Sequence, residues 1–217
     1  MRSKRTNRSI LLRILLVSAC VSGRAATTPM DAPLTPGAAT RIECDVTHPD
    51  ERKSIQNDKE RADGFHYDLY LPSDYDADKE YRYPVIFLTS PGGNATMQRM
   101  EPRLKADRYI VAMLVESKNG STDWYGNILA AHDDVVQRVR TIDRFKLATG
   151  FSGGARCVSN YPYIRTGFRA LFFQGAIYGS TYQNLLTKRE PLMAGVALFS
   201  NFGNDDFNLK DDENMYF

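Results

Sequence analysis

The residues with the plainest capacity for chemistry are Gly150-Phe151-Ser152-Gly153-Gly154, a G-x-S-x-G run. FKLAT (145–149) reads as a short strand running into it, and ARCVSNYPYI as a helix leaving it. A serine on such a strand-to-helix turn is a nucleophile elbow. Its backbone is strained and its neighbours crowd the adjoining strand and helix, so the residues two before and two after it must be small. Gly150 and Gly154 meet that demand. The turn lifts the Ser152 hydroxyl above the sheet edge and aims the Gly153 N–H at the place where an oxyanion would develop. A glycine-rich turn with a bystander serine gives the same five letters, so the flanking elements carry the assignment.

Those elements form a regular series. Phe65, Tyr67, Leu69 and Leu71 alternate with His66, Asp68 and Tyr70, the period-2 pattern of a half-buried strand. Pro84 to Thr89 and Tyr109 to Val115 are continuous apolar runs, as expected of strands covered on both faces. Ile128, His132, Val135, Val136 and Val139 predict a helix over 127–142, and 153–165 is helix-compatible. Ala170 to Phe173 and Gly195 to Phe199 predict two further strands. Buried strands alternating with helices predict an α/β layer fold with a mostly parallel sheet. Ligands bind at the C-terminal strand ends of such sheets. Loop 116–126 therefore offers Trp124 and Tyr125 either as substrate-pocket residues or as helix packing, and Gln174 and Tyr178 carry the same two readings.

IDRFKLATGFSGGARCVSNY resembles the elbow segment of secreted serine esterases of the α/β-hydrolase fold, nearest to the polyhydroxybutyrate-depolymerase-like and feruloyl-esterase-like enzymes. The upstream run YDLYLPSDYDADKEYRYPVIFLTSPGGNAT supports the resemblance, which covers roughly residues 64–210. It implies a mostly parallel central sheet flanked by helices, and hydrolysis of a small-molecule or polymeric carboxylic ester through an acyl-enzyme, without a cofactor or metal. Carried over by position, Ser152 is the nucleophile, Gly153 the first oxyanion donor, and Gly93 (or Gly92) the second. Ser90-Pro91 stands where many relatives have His-Gly. The run Gly203-x-x-Asp206 is similar to the family's acid loop, which makes Asp206 the triad acid and Asp205 its alternative. Asp205 also suits the cap of a helix beginning near Asn208.

Family order places the general base, a histidine, after the acid. The sequence has three histidines, His48, His66 and His132, and all precede Ser152. His66 is expected to face solvent, His48 to lie in a charged surface segment, and His132 to pack beneath the sheet. The expectation is a hydrolase domain truncated before its histidine, without its C-terminal strand and helix and nearly inactive. The alternatives are a non-catalytic secreted pseudo-hydrolase that binds carbohydrate or polyester, and a peptidase of the same fold.

Charge is unevenly spread. Of 28 Lys+Arg and 26 Asp+Glu residues, six basic and no acidic ones fall in residues 1–26, so the remainder is net acidic. That argues against a nucleic-acid surface. Arg2, Lys4, Arg5 and Arg8 ahead of the apolar stretch 10–19 match an export signal, whose apolar part is too short to span a membrane. Cleavage after Ala25 gives a secreted or periplasmic protein; a lipobox ending at Ala19 makes Cys20 a lipid anchor. Residues 26–63 read as a tether (27–40) plus a charged segment (47–63), and the incomplete hydrolase domain as starting around Arg41 or, conservatively, at 64–217. No Cys/His spacing suits zinc. Cys157 reads as core filler, and an exported chain permits a Cys44–Cys157 disulfide. Asn94-Ala-Thr and Asn119-Gly-Ser are glycosylation sequons, relevant to a eukaryotic source only.

Overall fold

A computed structural model describes residues 28–44, 64–97, 100–106, 108–176 and 195–208. The segment read as an export signal, with Cys20, lies outside the described residues, as do His48 and Tyr178.

The apolar runs form strands β2 (Phe65–Tyr70), β3 (Tyr83–Thr89) and β4 (Ile110–Leu114). They are joined by β5 (Thr141–Phe151), β6 (Phe168–Gln174) and β7 (Ala197–Asn201). Every residue of β3 and β4 is buried, which accounts for their unbroken apolar character. With β1 (Ala39–Cys44) they make one seven-stranded sheet in the order β1-β2-β4-β3-β5-β6-β7. β1, β2 and β4 pair antiparallel; from β4 through β3, β5 and β6 to β7 every pairing is parallel. The sheet is therefore mostly parallel, as the sequence predicts.

Four helices are described: α1 (Glu101–Ala106), α2 (Trp124–Arg138), α3 (Gly153–Val158) and α4 (Tyr161–Ile164). The larger core gathers Phe65, Tyr67, Leu69, Val85, Phe87, Ala112 and Leu171 against α2 and the residues of α3. A smaller core on the other face sets Tyr70, Ile86, Leu88, Val111 and Met113 against Leu104 of α1.

Four details depart from the sequence reading. β1, which pairs with β2 from Ala39↔Tyr70 to Cys44↔Phe65, begins within the stretch read as tether and runs past Arg41, the earlier of the two domain starts. Thr28 and Pro29 dock as well, because the Arg138 guanidinium donates to both their carbonyls while holding Asp134 at 2.8 Å. Local composition hides this, since the partners are more than a hundred residues away. The predicted 127–142 helix ends at Arg138, because Val139 is extended and Thr141 already begins β5. The predicted 153–165 helix is two short ones, with Pro162 in the first turn of the second.

The two described cysteines are not bridged to each other: Cys44 and Cys157 are free, buried thiols, and burial pushes the Cys157 pKa up to about 12. Cys44 instead donates to the Phe65 carbonyl across the β1–β2 pair.

His132 lies beneath the sheet as expected, stacked on Phe87. Its Nδ1 contacts Asp133 at 2.8 Å and its Nε2 the Lys146 ammonium at 2.9 Å. A carboxylate only accepts and an ammonium only donates, so the ring is neutral with its proton on Nδ1. Burial lowers its pKa to about 4. The unfolded chain then binds more protons than the folded one between about pH 6.5 and 4. Stability falls as pH falls through that window, on the order of 2 kcal/mol after allowance for the Asp133 and Lys146 partners. Melting temperature measured from pH 7 to 4 should drop in the native protein, and His132→Gln should flatten that slope. An unchanged slope in the variant would assign it to other groups.

Candidate active site

The strand order decides where the chemistry-bearing loops meet. From β3 the chain crosses to β4 on one side, then returns past β3 to β5 on the other. A crevice opens at such a reversal, at the C-terminal strand ends. The turn after β3, the loop after β4 and the turn after β5 all lie at that edge.

Ser152 sits at the end of β5 with φ 52° and ψ −123°, a conformation that L residues rarely hold. Its N–H donates to the Gln174 carbonyl at 2.7 Å, and α3 starts at Gly153. The glycines are required sterically. A Cβ on Gly150 would lie 2.5 Å from the Gly154 carbonyl carbon and 2.6 Å from the Ala155 nitrogen. One on Gly154 would lie 2.8 Å from the Ser90 nitrogen. Thr89, unremarked in the sequence, donates from Oγ1 to the Gly154 carbonyl at 2.8 Å and ties the end of β3 to the elbow helix. Its only sequence signal is a hydroxyl at the end of an apolar strand.

The 90–94 turn is drawn tight by its own hydrogen bonds. Gly93 N–H donates to the Ser90 carbonyl at 3.2 Å, and Asn94 N–H to Ser90 Oγ at 3.0 Å. Gly93 has φ +69°, and a Cβ there would stand 2.1 Å from the Val115 carbonyl oxygen. This residue is needed for the turn's shape and close packing, and its N–H is turned inward.

The acid loop reaches the same edge. Asp206 N–H donates to the Gly203 carbonyl, and Asp206 Oδ1 accepts from Asn208 N–H at 2.9 Å. Asn208 then bridges outward, donating from Nδ2 to the Gly175 carbonyl at 2.8 Å and accepting from Arg156 of α3 at 2.9 Å. That bridge carries Asp206 to Gly175, where a Cβ would lie 3.1 Å from Asp206 Oδ2. Asp206 is half-buried, whereas Asp205 is exposed. Asn208, visible in sequence only as a residue near a helix start, is what joins the two loops.

Trp124 and Tyr125 occupy the first turn of α2, edge to face at 5.5 Å, and pack half-buried against the larger core. Gln174 reaches Thr149 Oγ1 at 3.4 Å.

Neither described histidine is brought to Ser152. His66 does not face solvent freely. Glu116 holds its Nδ1 at 2.9 Å and its backbone N–H at 2.8 Å, and Glu43 stands 3.9 Å from Nε2. β2 is three strand spacings from β5, about 14 Å. His132 contacts Lys146, six residues and about 20 Å down β5 from the serine. Among the described residues no group of three or more His, Cys, Asp or Glu is placed to hold a metal ion, and no helix is long and apolar enough to cross a membrane.

No family model matches the sequence, and no curated protein matches it either. Solved structures do match. A ferulic acid esterase superposes with a TM-score of 0.60 at 16% identity, over 84% of this chain and 85% of its own. A substrate-bound fluorophosphonate-binding serine hydrolase from Staphylococcus aureus gives 0.58 at 13%, over 83% and 85%. An S-formylglutathione hydrolase from the same organism gives 0.56 at 16%, over 85% of both chains. At such identities the shared property is the arrangement of strands, crossovers and turns, and in that arrangement the chain is an α/β-hydrolase fold.

Proposed function

We propose that this is a serine-hydrolase site for carboxylic esters, with Ser152 as the nucleophile of an acyl-enzyme. The observation that carries the reading is the Ser152 backbone at φ 52° and ψ −123°, held between two glycines that admit no Cβ. A fold maintains such strain where it serves a mechanism. Here it presents the hydroxyl at the open strand ends, beside the N–H that begins α3.

In this reading Ser152 Oγ attacks the ester carbonyl carbon and its proton passes to a base. The tetrahedral oxyanion is held by Gly153 N–H, and collapse expels the alcohol, leaving the acyl group on Oγ. The second backbone donor moves from Gly93, whose N–H is spent on Ser90, to Gly92. Pro91 has no N–H to offer. Asp206 is the acid, carried to the edge by Asn208. Among the described residues the base has no candidate, because neither His66 nor His132 is near Ser152, and His48 lies outside them. The 217-residue chain is accordingly expected to turn over slowly. That same observation favours a second reading, a non-catalytic binder of carbohydrate or polyester.

The basic and apolar start of the chain, residues 2–19, is read as an export signal for a secreted or periplasmic protein, lipid-anchored if Cys20 is the processed terminus.

Incubation with p-nitrophenyl acetate followed by peptide mapping separates the two readings. An acetyl group on Ser152, absent from Ser152→Ala, supports the hydrolase. No adduct on Ser152 after prolonged incubation leaves the binder.

A further inference from the structure

The loop after β4 enters the site through a residue that the function above does not use. Asn119 donates its backbone N–H to the Pro91 carbonyl at 3.0 Å, fixing it on the 90–94 turn. Its side chain reaches across to the elbow. A Cβ built on Gly153 would lie 1.6 Å from Asn119 Oδ1, 2.7 Å from Cγ and 3.2 Å from Nδ2. The carboxamide thus occupies the space over the Gly153 α-carbon, and one residue spans both halves of the proposed oxyanion hole. Asn119 is exposed, and its carboxamide makes no hydrogen bond among the described residues.

Over 91–94 Gly92 alone is left as a backbone donor: Pro91 has none, and the N–H groups of Gly93 and Asn94 are turned onto Ser90. An oxyanion beside Gly153 N–H is within reach of an amide seated on the α-carbon of that same residue. The geometry points to Asn119 as a side-chain oxyanion donor, its carboxamide turned so that Nδ2–H, in place of the Oδ1 that now lies nearest Gly153, meets the acyl oxygen of the ester. Residue 153 is held to glycine by this contact, because any side chain there displaces the carboxamide. The inference rests on the serine-hydrolase reading and specifies how that site stabilises charge. A side-chain amide that donates to the oxyanion is worth up to about 10²–10³-fold in rate.

The test uses the 217-residue chain with p-nitrophenyl acetate and added imidazole as external base, following the rate of Ser152 acetylation by mass spectrometry. Asn119→Ala and Asn119→Asp should each slow acetylation about 100-fold, with melting temperatures unchanged because the residue is exposed. Aspartate keeps the shape and removes the donor, so an Asn119→Asp rate equal to the native rate would reduce the residue to packing and overturn the proposal. An unchanged Asn119→Ala rate would overturn it too, with the hydrolase reading intact. If the native chain shows no Ser152 acetylation at all, the hydrolase reading fails and this inference fails with it.

Discussion

Exposed to a fluorophosphonate probe, the 217-residue chain should label at Ser152 slowly, and Ser152→Ala should not label. The serine hydroxyl is weakly nucleophilic until a neighbouring base takes its proton. Removing the base from a Ser-His-Asp site costs about 10⁶-fold in kcat and leaves only about 10³–10⁴-fold over water from the oxyanion hole and binding. In the proposed reading that remainder rests on the strained serine, the N–H that opens α3 and the Asp206 loop pinned by Asn208. Its two described histidines are occupied elsewhere, His66 by Glu116 and His132 by Asp133 and Lys146. Imidazole in solution should therefore raise labelling of the native protein and leave Ser152→Ala unlabelled. Rapid labelling without imidazole would show that some group already serves as the base and would overturn the expectation of low activity.

Gly150→Ala should be severely damaging, costing at least about 3 kcal/mol or preventing folding. The added methyl would meet the Gly154 carbonyl carbon at 2.5 Å, the Thr89 hydroxyl at 2.5 Å and the Ala155 nitrogen at 2.6 Å. Two of these are backbone atoms at the start of α3, so no rotamer change relieves them. The only escape is to move the helix off the strand, which breaks the Thr89–Gly154 hydrogen bond and displaces Ser152. Gly153→Ala meets mainly the end of the flexible Asn119 side chain and should be far milder for stability. Denaturant unfolding of the two variants measures the contrast, and comparable midpoints would refute the steric account of the elbow.

Much of the scaffold was legible in the sequence. β3 and β4 are fully buried runs, and burial on both faces leaves an unbroken apolar signature. The period-2 alternation of 65–71 marks β2 for the same reason. β1 escaped notice: its six residues, ATRIEC, carry three polar side chains, and its burial comes from pairing with β2 rather than from its own pattern. The sequence carries α2 into β5 because Val139 and Ile142 continue a helical apolar spacing while adopting extended backbone.

The elbow belongs to what the sequence determined by itself. Its demands are local: a serine in a left-handed conformation, small residues two positions either side, a strand before and a helix after, all within a dozen residues. The rest of the site was decided by tertiary structure. β4 lies between β2 and β3, and that order sets Asn119 against Gly153 and draws Val115 onto Gly93. It also leaves His66 three strands from the serine. Thr89, Asn119 and Asn208 acquire their contacts only when distant segments converge. Neither spacing nor composition records which strand lies beside which, because that choice is made by packing over the whole core.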